Sequence, residues 1–366
     1  MNYLRRKYMA LMRGVNFRGY LRKASGYPLT LTDCMDSDIV SLSVAGNAVQ
    51  DGTPSPDAPV EVVGVGDKTE PYVYRVPIEC RGRNLFDGIF EQGHVLDSSV
   101  ISPNRIKSKQ IFPVKAGETY AISSDCDGFD FVLGNYRSYP YANYVTGTGW
   151  ASGSAVLKCN GDGYLTIMVR KQGDKVIKPE DVSAYKFMLT KTDMATPYEP
   201  YYHDTVNIYT DKPLYGVDGV PYEEKVLTGN ESWSKYTELT DTYAFVSGLG
   251  YSDWTYDKAY SNYFPRNSSV GYDKEGFASG DNSSRVYFRI NKDRLNSEFT
   301  LDAWKAWLKE KYDSENPVKV YFKKQTETQP QLNGQLHLHK GTNILTSTAT
   351  VEPTGMTAEY YSSKEV

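Results

Sequence analysis

The feature that most constrains this chain is a series of short extended segments, each closed by a turn built on glycine and aspartate. Residues 111–114, 119–123, 129–133, 155–159, 164–169 and 185–189 are rich in β-branched, aromatic and other apolar side chains. Between them stand Lys115-Ala116-Gly117, Asp127-Gly128, Gly161-Asp162-Gly163 and Gly173-Asp174. Glycine supplies the positive-φ turn positions, and aspartate bonds back to its own backbone there. Strands this short hide their apolar sides only by facing other strands. The pattern therefore predicts a mainly β protein containing a β-sandwich with jelly-roll-like wiring. An immunoglobulin-like sandwich has the same period, and strand order stays open.

The flanks divide the chain into five regions. Residues 1–27 form a basic N-terminal arm, in which Leu4, Tyr8, Leu11 and Met12 give helical spacing over 2–13. Residues 28–79 form a short-strand attachment region: Leu29 and Leu31 alternate with Thr30 and Thr32, and Leu42 and Val44 with Ser41 and Ser43. Within it, Pro54, Pro56 and Pro59 make 50–59 a stiff connector. This region is too small to cover its own apolar residues and needs the next domain or a neighbouring subunit. The sandwich spans 80–200 and leaves through TPYEPYYHD, residues 196–204. A second β-rich domain follows over 201–330, with an amphipathic helix at 301–312. Thr300 caps this helix, Leu301, Trp304, Leu308 and Tyr312 form its apolar stripe, Trp307 widens it, and Asn316-Pro317 ends it. Residues 331–366 are expected to run as an extended C-terminal arm, free to lie on its own domain or on another subunit.

Charge and motifs exclude several functions. A net charge of −4 over 366 residues argues against nucleic-acid binding by the whole chain. The basic cluster Arg5, Arg6, Lys7, Arg13, Arg18, Arg22 and Lys23 fits a docking arm in an assembly. The apolar stretch 8–12 is stopped by Arg13, so the start does not read as a secretory signal. No stretch is long enough to cross a bilayer. Cys34, Cys80, Cys126 and Cys159 are spaced too widely for a metal motif or a disulfide framework. His337 and His339 would share one strand face, but a zinc site needs more ligands, and His94 and His203 lack a paired nucleophile. Asp125, Asp127 and Asp130 crowd a turn too short for a helix–loop–helix calcium site. No nucleophile elbow, zinc-protease helix or phosphate loop occurs. No catalytic residue, metal ligand or cofactor is assigned, and no enzyme is expected.

Tyrosine is the unusual component, with 31 residues. It favours strands and also offers a large apolar ring to wet surfaces. Two aromatic stretches read as loops. In 135–144 they are Tyr136, Tyr139, Tyr141 and Tyr144, followed by Trp150. In 250–267 they are Tyr251, Trp254, Tyr256, Tyr260, Tyr263 and Phe264. Such side chains stack on a sugar face, fill a protein interface, or pack beneath long loops. Tyr136, Tyr139, Tyr141, Tyr144, Trp150, Tyr251, Trp254 and Tyr256 are the candidate binding residues.

One further pattern is an ordered set of landmarks. Gly46, Gln50, Asp51, Gly52, Thr53, Pro54, Pro56, Asp57, Ala58 and Pro59 form the first. The run 80–87, CRGRNLFD, follows, then 194–201, MATPYEPY. Trp304 to Leu308 with Pro317 to Phe322, then Gly341-Thr342-Asn343 and Val351-Glu352-Pro353, complete the order. Together they resemble minor structural proteins of the tail or baseplate in phages and prophages of gut Gram-positive bacteria. The resemblance runs from about 29 to 361; residues 254–272 match no landmark. It implies a virion protein made in a bacterial cytoplasm, with a carbohydrate-binding-like sandwich and no catalytic group. Its implied partners are other tail or virion proteins, further copies of itself, and a cell-surface glycan. The main expectation is assembly; the alternative is a carbohydrate- or receptor-binding module.

Overall fold

Alternating apolar residues from three distant parts of the chain build one nine-stranded antiparallel sheet. The computed structural model describes residues 19–36, 39–94, 102–139, 142–235, 243–248, 254–266, 274–279, 286–295, 299–324 and 331–364. The sheet order is His203–Thr210, Val73–Arg81, Gly341–Ser347, Leu29–Cys34, Gly355–Ser362, Ile39–Ala45 and Gln331–His337. Tyr20–Gly26 adds to Gly355–Ser362, and Asp67–Glu70 adds to Val73–Arg81. Leu29, Leu31, Leu42 and Val44 point into its core with Val76, Ile78 and Leu345. The two end strands approach each other at one end, so the sheet curls into a jelly-roll-like half-barrel.

This sheet takes in both ends of the described chain. The C-terminal stretch lies on its own chain and supplies three strands, in which Leu336, Leu345, Met356 and Tyr360 each bury an apolar side chain. They also provide the cover that region 28–79 lacks by itself. In the N-terminal arm, 20–26 is a strand paired along its whole length with 356–362. Residues 1–18, including the helix expected over 2–13, lie outside the described residues.

The β-sandwich follows. One sheet has the order Ala142–Gly147, Phe129–Ser138, Gly163–Lys171, Ile106–Ser108 and Phe90–Gln92, with Phe112–Val114 also on Gly163–Lys171. The facing sheet has the order Ser154–Lys158, Thr119–Ser124 and Phe187–Thr190. The chain crosses repeatedly between the sheets, as jelly-roll wiring requires. Phe86, Phe131, Leu133, Ile167 and Leu189 fill the space between them.

A second β-rich region pairs two four-stranded sheets with one helix, Leu301–Asp313. Thr300 caps that helix by accepting from the Ala303 N–H at 3.0 Å. Trp304, Trp307 and Leu308 are buried against Val246, Phe288 and Val320. Tyr312, expected on the same stripe, is exposed; burial on the helix is carried by Trp304, Trp307 and Leu308.

The landmarks act as staples between these parts. Arg294 grips the Asp57 carboxylate with two nitrogens at 2.6 and 2.5 Å. Gln50 Nε2 donates to the Ser261 carbonyl at 3.0 Å. The proline connector is thereby tied to the helix-bearing region. A Cβ on Gly46 would stand 2.4 Å from the Tyr215 carbonyl oxygen, so only glycine lets these backbones meet. Asn84 is buried and makes four bonds: to the Phe187 and Glu199 carbonyls, and from the Phe86 and Leu189 amides. Glu199 in turn accepts from the Thr342 amide and hydroxyl, both at 3.2 Å. Three landmarks far apart in sequence thus meet at one junction.

Candidate functional site

The outer face of the larger sandwich sheet is built by strand alternation. On Phe129–Ser138, Phe129, Phe131 and Leu133 enter the core, which leaves Asp130, Val132, Gly134 and Tyr136 on the opposite face. On the neighbouring strand, Leu165, Ile167 and Val169 enter, and Tyr164, Met168 and Arg170 lie outside. Register places Asp130 against Arg170, Val132 against Met168, and Tyr136 against Tyr164.

Trp150 lies across this face. Ala151 exchanges backbone bonds of 2.8 and 2.9 Å with Phe131, which fixes the chain beside the sheet. The half-buried indole packs on Val132, Tyr136 and Met168. The guanidinium carbons of Arg105 and Arg170 stand 4.9 and 4.4 Å from the indole ring centroid. Each arginine is aimed by a carboxylate: Arg170 by Asp130 at 3.0 Å, and Arg105 by Asp174. The hydrogen bond from Arg105 holds the Asp174 carboxyl below the ordinary carboxylate value.

Within the stretch 135–144, expected as a loop, residues up to Ser138 and from Ala142 on belong to the paired strands Phe129–Ser138 and Ala142–Gly147. Tyrosine alternation continues the strands, and the ladder absorbs a register shift at Asn135/Tyr136. Tyr136 is 2% exposed and Tyr144 is 58% exposed. Tyr136 therefore belongs to the floor, a correction to its place among exposed loop aromatics. Gly134 makes this possible: a Cβ there would be 2.7 Å from the Tyr136 ring. The Tyr144 ring meets Tyr136 edge-on at 5.5 Å, and Tyr139, also exposed, meets Tyr164 at 6.4 Å. The result is a ridge of tyrosines beside a tryptophan held by two cations. It can stack on a ring ligand and hydrogen-bond its rim.

The other sequence candidates disperse. Tyr141 and Tyr251 lie outside the described residues, while Trp254 and Tyr256 fall on the strand Trp254–Ser261. In that second patch, Tyr263 and Phe264 are core residues of the helix-bearing region. Asp125 accepts from the Lys186 amide at 2.7 Å, and Asp130 faces Arg170, so the acidic turn does not converge. His339 is bonded to Asp204 at 2.7 Å. Burial pushes the Cys80 and Cys126 thiols up to about 12 and Cys159 to about 11, which keeps them protonated and unreactive. Burial, then the nearby Arg105 charge, pushes His94 below its ordinary value. Among the described residues, no group of three or more His, Cys, Asp or Glu is placed to hold a metal ion. No described helix is long and apolar enough to cross a membrane. Sequence reading missed Arg105, Arg170 and Tyr164. Period-two alternation around Met168 marks an outward Tyr164 and Arg170, but nothing local marks Arg105 as their neighbour.

No protein-family model matches the chain, and no curated protein matches it. Among solved structures there is a weak likeness to VP2 in the subviral particle of infectious bursal disease virus. Identity is 6%, covering 99% of this chain and 86% of that one, with a TM-score of 0.12. The Gx strain of the same virus gives 7% identity, 95% and 82% coverage and a TM-score of 0.10. Likeness this distant, to a viral capsid protein, carries no argument about fold or function.

Proposed function

We propose that this chain is a virion-associated, non-enzymatic recognition protein whose β-sandwich presents its tyrosine ridge to a glycan on the host-cell surface. The observation that carries this reading is the exposure of Tyr144 and Tyr139 beside a floor where Trp150 packs on Tyr136 and is bordered by two carboxylate-aimed arginines. A pyranose has an apolar face for such rings and hydroxyls for the polar groups around them. Residues 80–200 are the recognition unit on this reading, and the nine-stranded sheet is its base. The ordered landmarks, whose side chains staple units together, support a place in the tail or baseplate of a phage or prophage. There the chain meets other virion proteins and further copies of itself.

The test is a glycan array probed with the full chain at high protein concentration. Binding to at least one bacterial surface glycan is expected, with about a tenfold loss of affinity in Tyr144→Ala. An array without a single hit overturns the glycan reading and leaves assembly as the function.

A further inference from the structure

A cleft of about 440 Å³ opens where the linker 196–202 meets the turn at 338–341. Asp36, Tyr198, Glu199, Tyr201, His339 and Lys340 line it. Its walls are set before any ligand arrives. Tyr202 donates its hydroxyl to the Thr342 carbonyl at 2.5 Å, and its ring stacks on His339 at 3.9 Å and 23°. Asn343 holds the His339 backbone on both sides, at 2.7 and 3.0 Å. The Lys340 amide donates to Asp36 at 2.7 Å. Against this fixed frame Tyr198 and Tyr201 remain 43% and 37% exposed, on either side of Glu199-Pro200.

We infer that this cleft is a second sugar site, taking a neutral pyranose ring. Three features select that chemistry. Two partly exposed tyrosine rings, Tyr201 and Tyr198 with the Lys186 ammonium 5.5 Å from its centroid, offer stacking surface to the apolar face of a sugar. Carboxylates of Asp36 and Glu199 are acceptors, and the exposed Lys340 side chain is a donor, so both hydroxyl roles are met. Lys340, and Arg83 at 3.8 Å from the Glu199 carboxylate, offset the two carboxylates, which disfavours a strongly charged ligand. A cleft of this size also suits a small ligand, within the range of roughly 300–1,000 Å³. The inference stands independently of the tyrosine ridge, since no residue is shared. Two sugar sites on one chain would raise avidity for a polymer that spans both.

The experiment is saturation-transfer NMR on the full chain with methyl glycosides of glucose, galactose, mannose and N-acetylglucosamine. Transfer to at least one sugar is expected. The double variant Tyr198→Ala/Tyr201→Ala should weaken it about tenfold. These samples all carry Tyr144→Ala, which weakens the ridge, so the transfer that remains reports the cleft. Both variants alter exposed rings, so an unchanged denaturation midpoint accompanies the expected result. Absence of transfer from all four sugars overturns the inference, as does transfer that the double variant leaves intact. Transfer seen in the chain without Tyr144→Ala but absent with it places the sugar on the ridge, which sinks the cleft and supports the proposed function. Transfer restricted to a uronic acid glycoside run in parallel overturns the neutral class.

Discussion

Two tryptophans, Trp304 in the helix-bearing region and Trp150 on the sandwich, sit in aromatic clusters of opposite kinds. Trp304 is fully buried, stacks on Trp307 at 5.5 Å, and meets Trp233 edge-on at 5.3 Å. Its Nε1 has no hydrogen-bond partner among the described residues. Trp150 is half-buried and bordered by guanidinium groups within 5 Å of its ring. Aromatic richness by itself therefore does not mark a recognition surface; the neighbours do. Apolar neighbours commit a ring to packing, whereas oriented charges keep it at a solvated boundary where a ligand can replace water.

The strongest way to break this contrast is Trp304→Ala. It should cost about 3–5 kcal/mol, the usual range for removing a large aromatic from a packed core. Denaturant unfolding followed on the helix-bearing region checks it. A loss below about 0.5 kcal/mol would place the helix elsewhere. Next comes Tyr136→Ala, which should cost about 2 kcal/mol because the ring is buried in a small satellite cluster. A stability-neutral Tyr136→Ala would return that ring to the exposed ridge and blur the distinction between floor and rim.

The same contrast explains what the sequence made legible. Glycine–aspartate turns and period-two segments expose the sandwich strands, since both are local signals. Thr300, Trp304 and Asn316-Pro317 likewise mark the helix from cap to stop. The nine-stranded sheet was not legible, because its pairs join residues hundreds of positions apart, such as Tyr20 with Ser362. Nothing near Gly355 indicates that its strand lies between 20–26 and 39–45. In the candidate site, tyrosine spacing located the ridge. Only the fold separates Tyr136 from Tyr144, its partner across the ladder: the first packs with Met168 and Trp150, and the second is exposed.

A smaller effect concerns pH. The folded-state pKa of Asp174 lies below its ordinary value, through its hydrogen bond with Arg105. Its contribution is thus present above the unfolded value and lost as pH falls through the folded one. Titration downward from about pH 4 should release Arg105 and change Trp150 emission. The signal is the part of the fluorescence that Trp150→Phe removes. Emission from Trp304, whose ring neighbours are apolar, should not follow this transition while the fold persists. A Trp150 component flat through the acid limb would detach Asp174 from the clamp.

The smallest expected stability change is in Tyr144→Ala. The ring is largely exposed, and its contact with Tyr136 is a single edge-on approach. Surface substitutions of this kind usually fall within about 0.5 kcal/mol of the parent. If the ridge is a recognition surface, this near-silent variant should nonetheless lose about tenfold in glycan affinity. Stability and binding are then carried by different rings of one hairpin, Tyr136 below and Tyr144 above. A variant that loses more than about 1 kcal/mol shows instead that Tyr144 supports the hairpin, as Trp304 supports its core. In that case any accompanying loss of binding would follow from unfolding, and the two aromatic clusters would differ in exposure without differing in task.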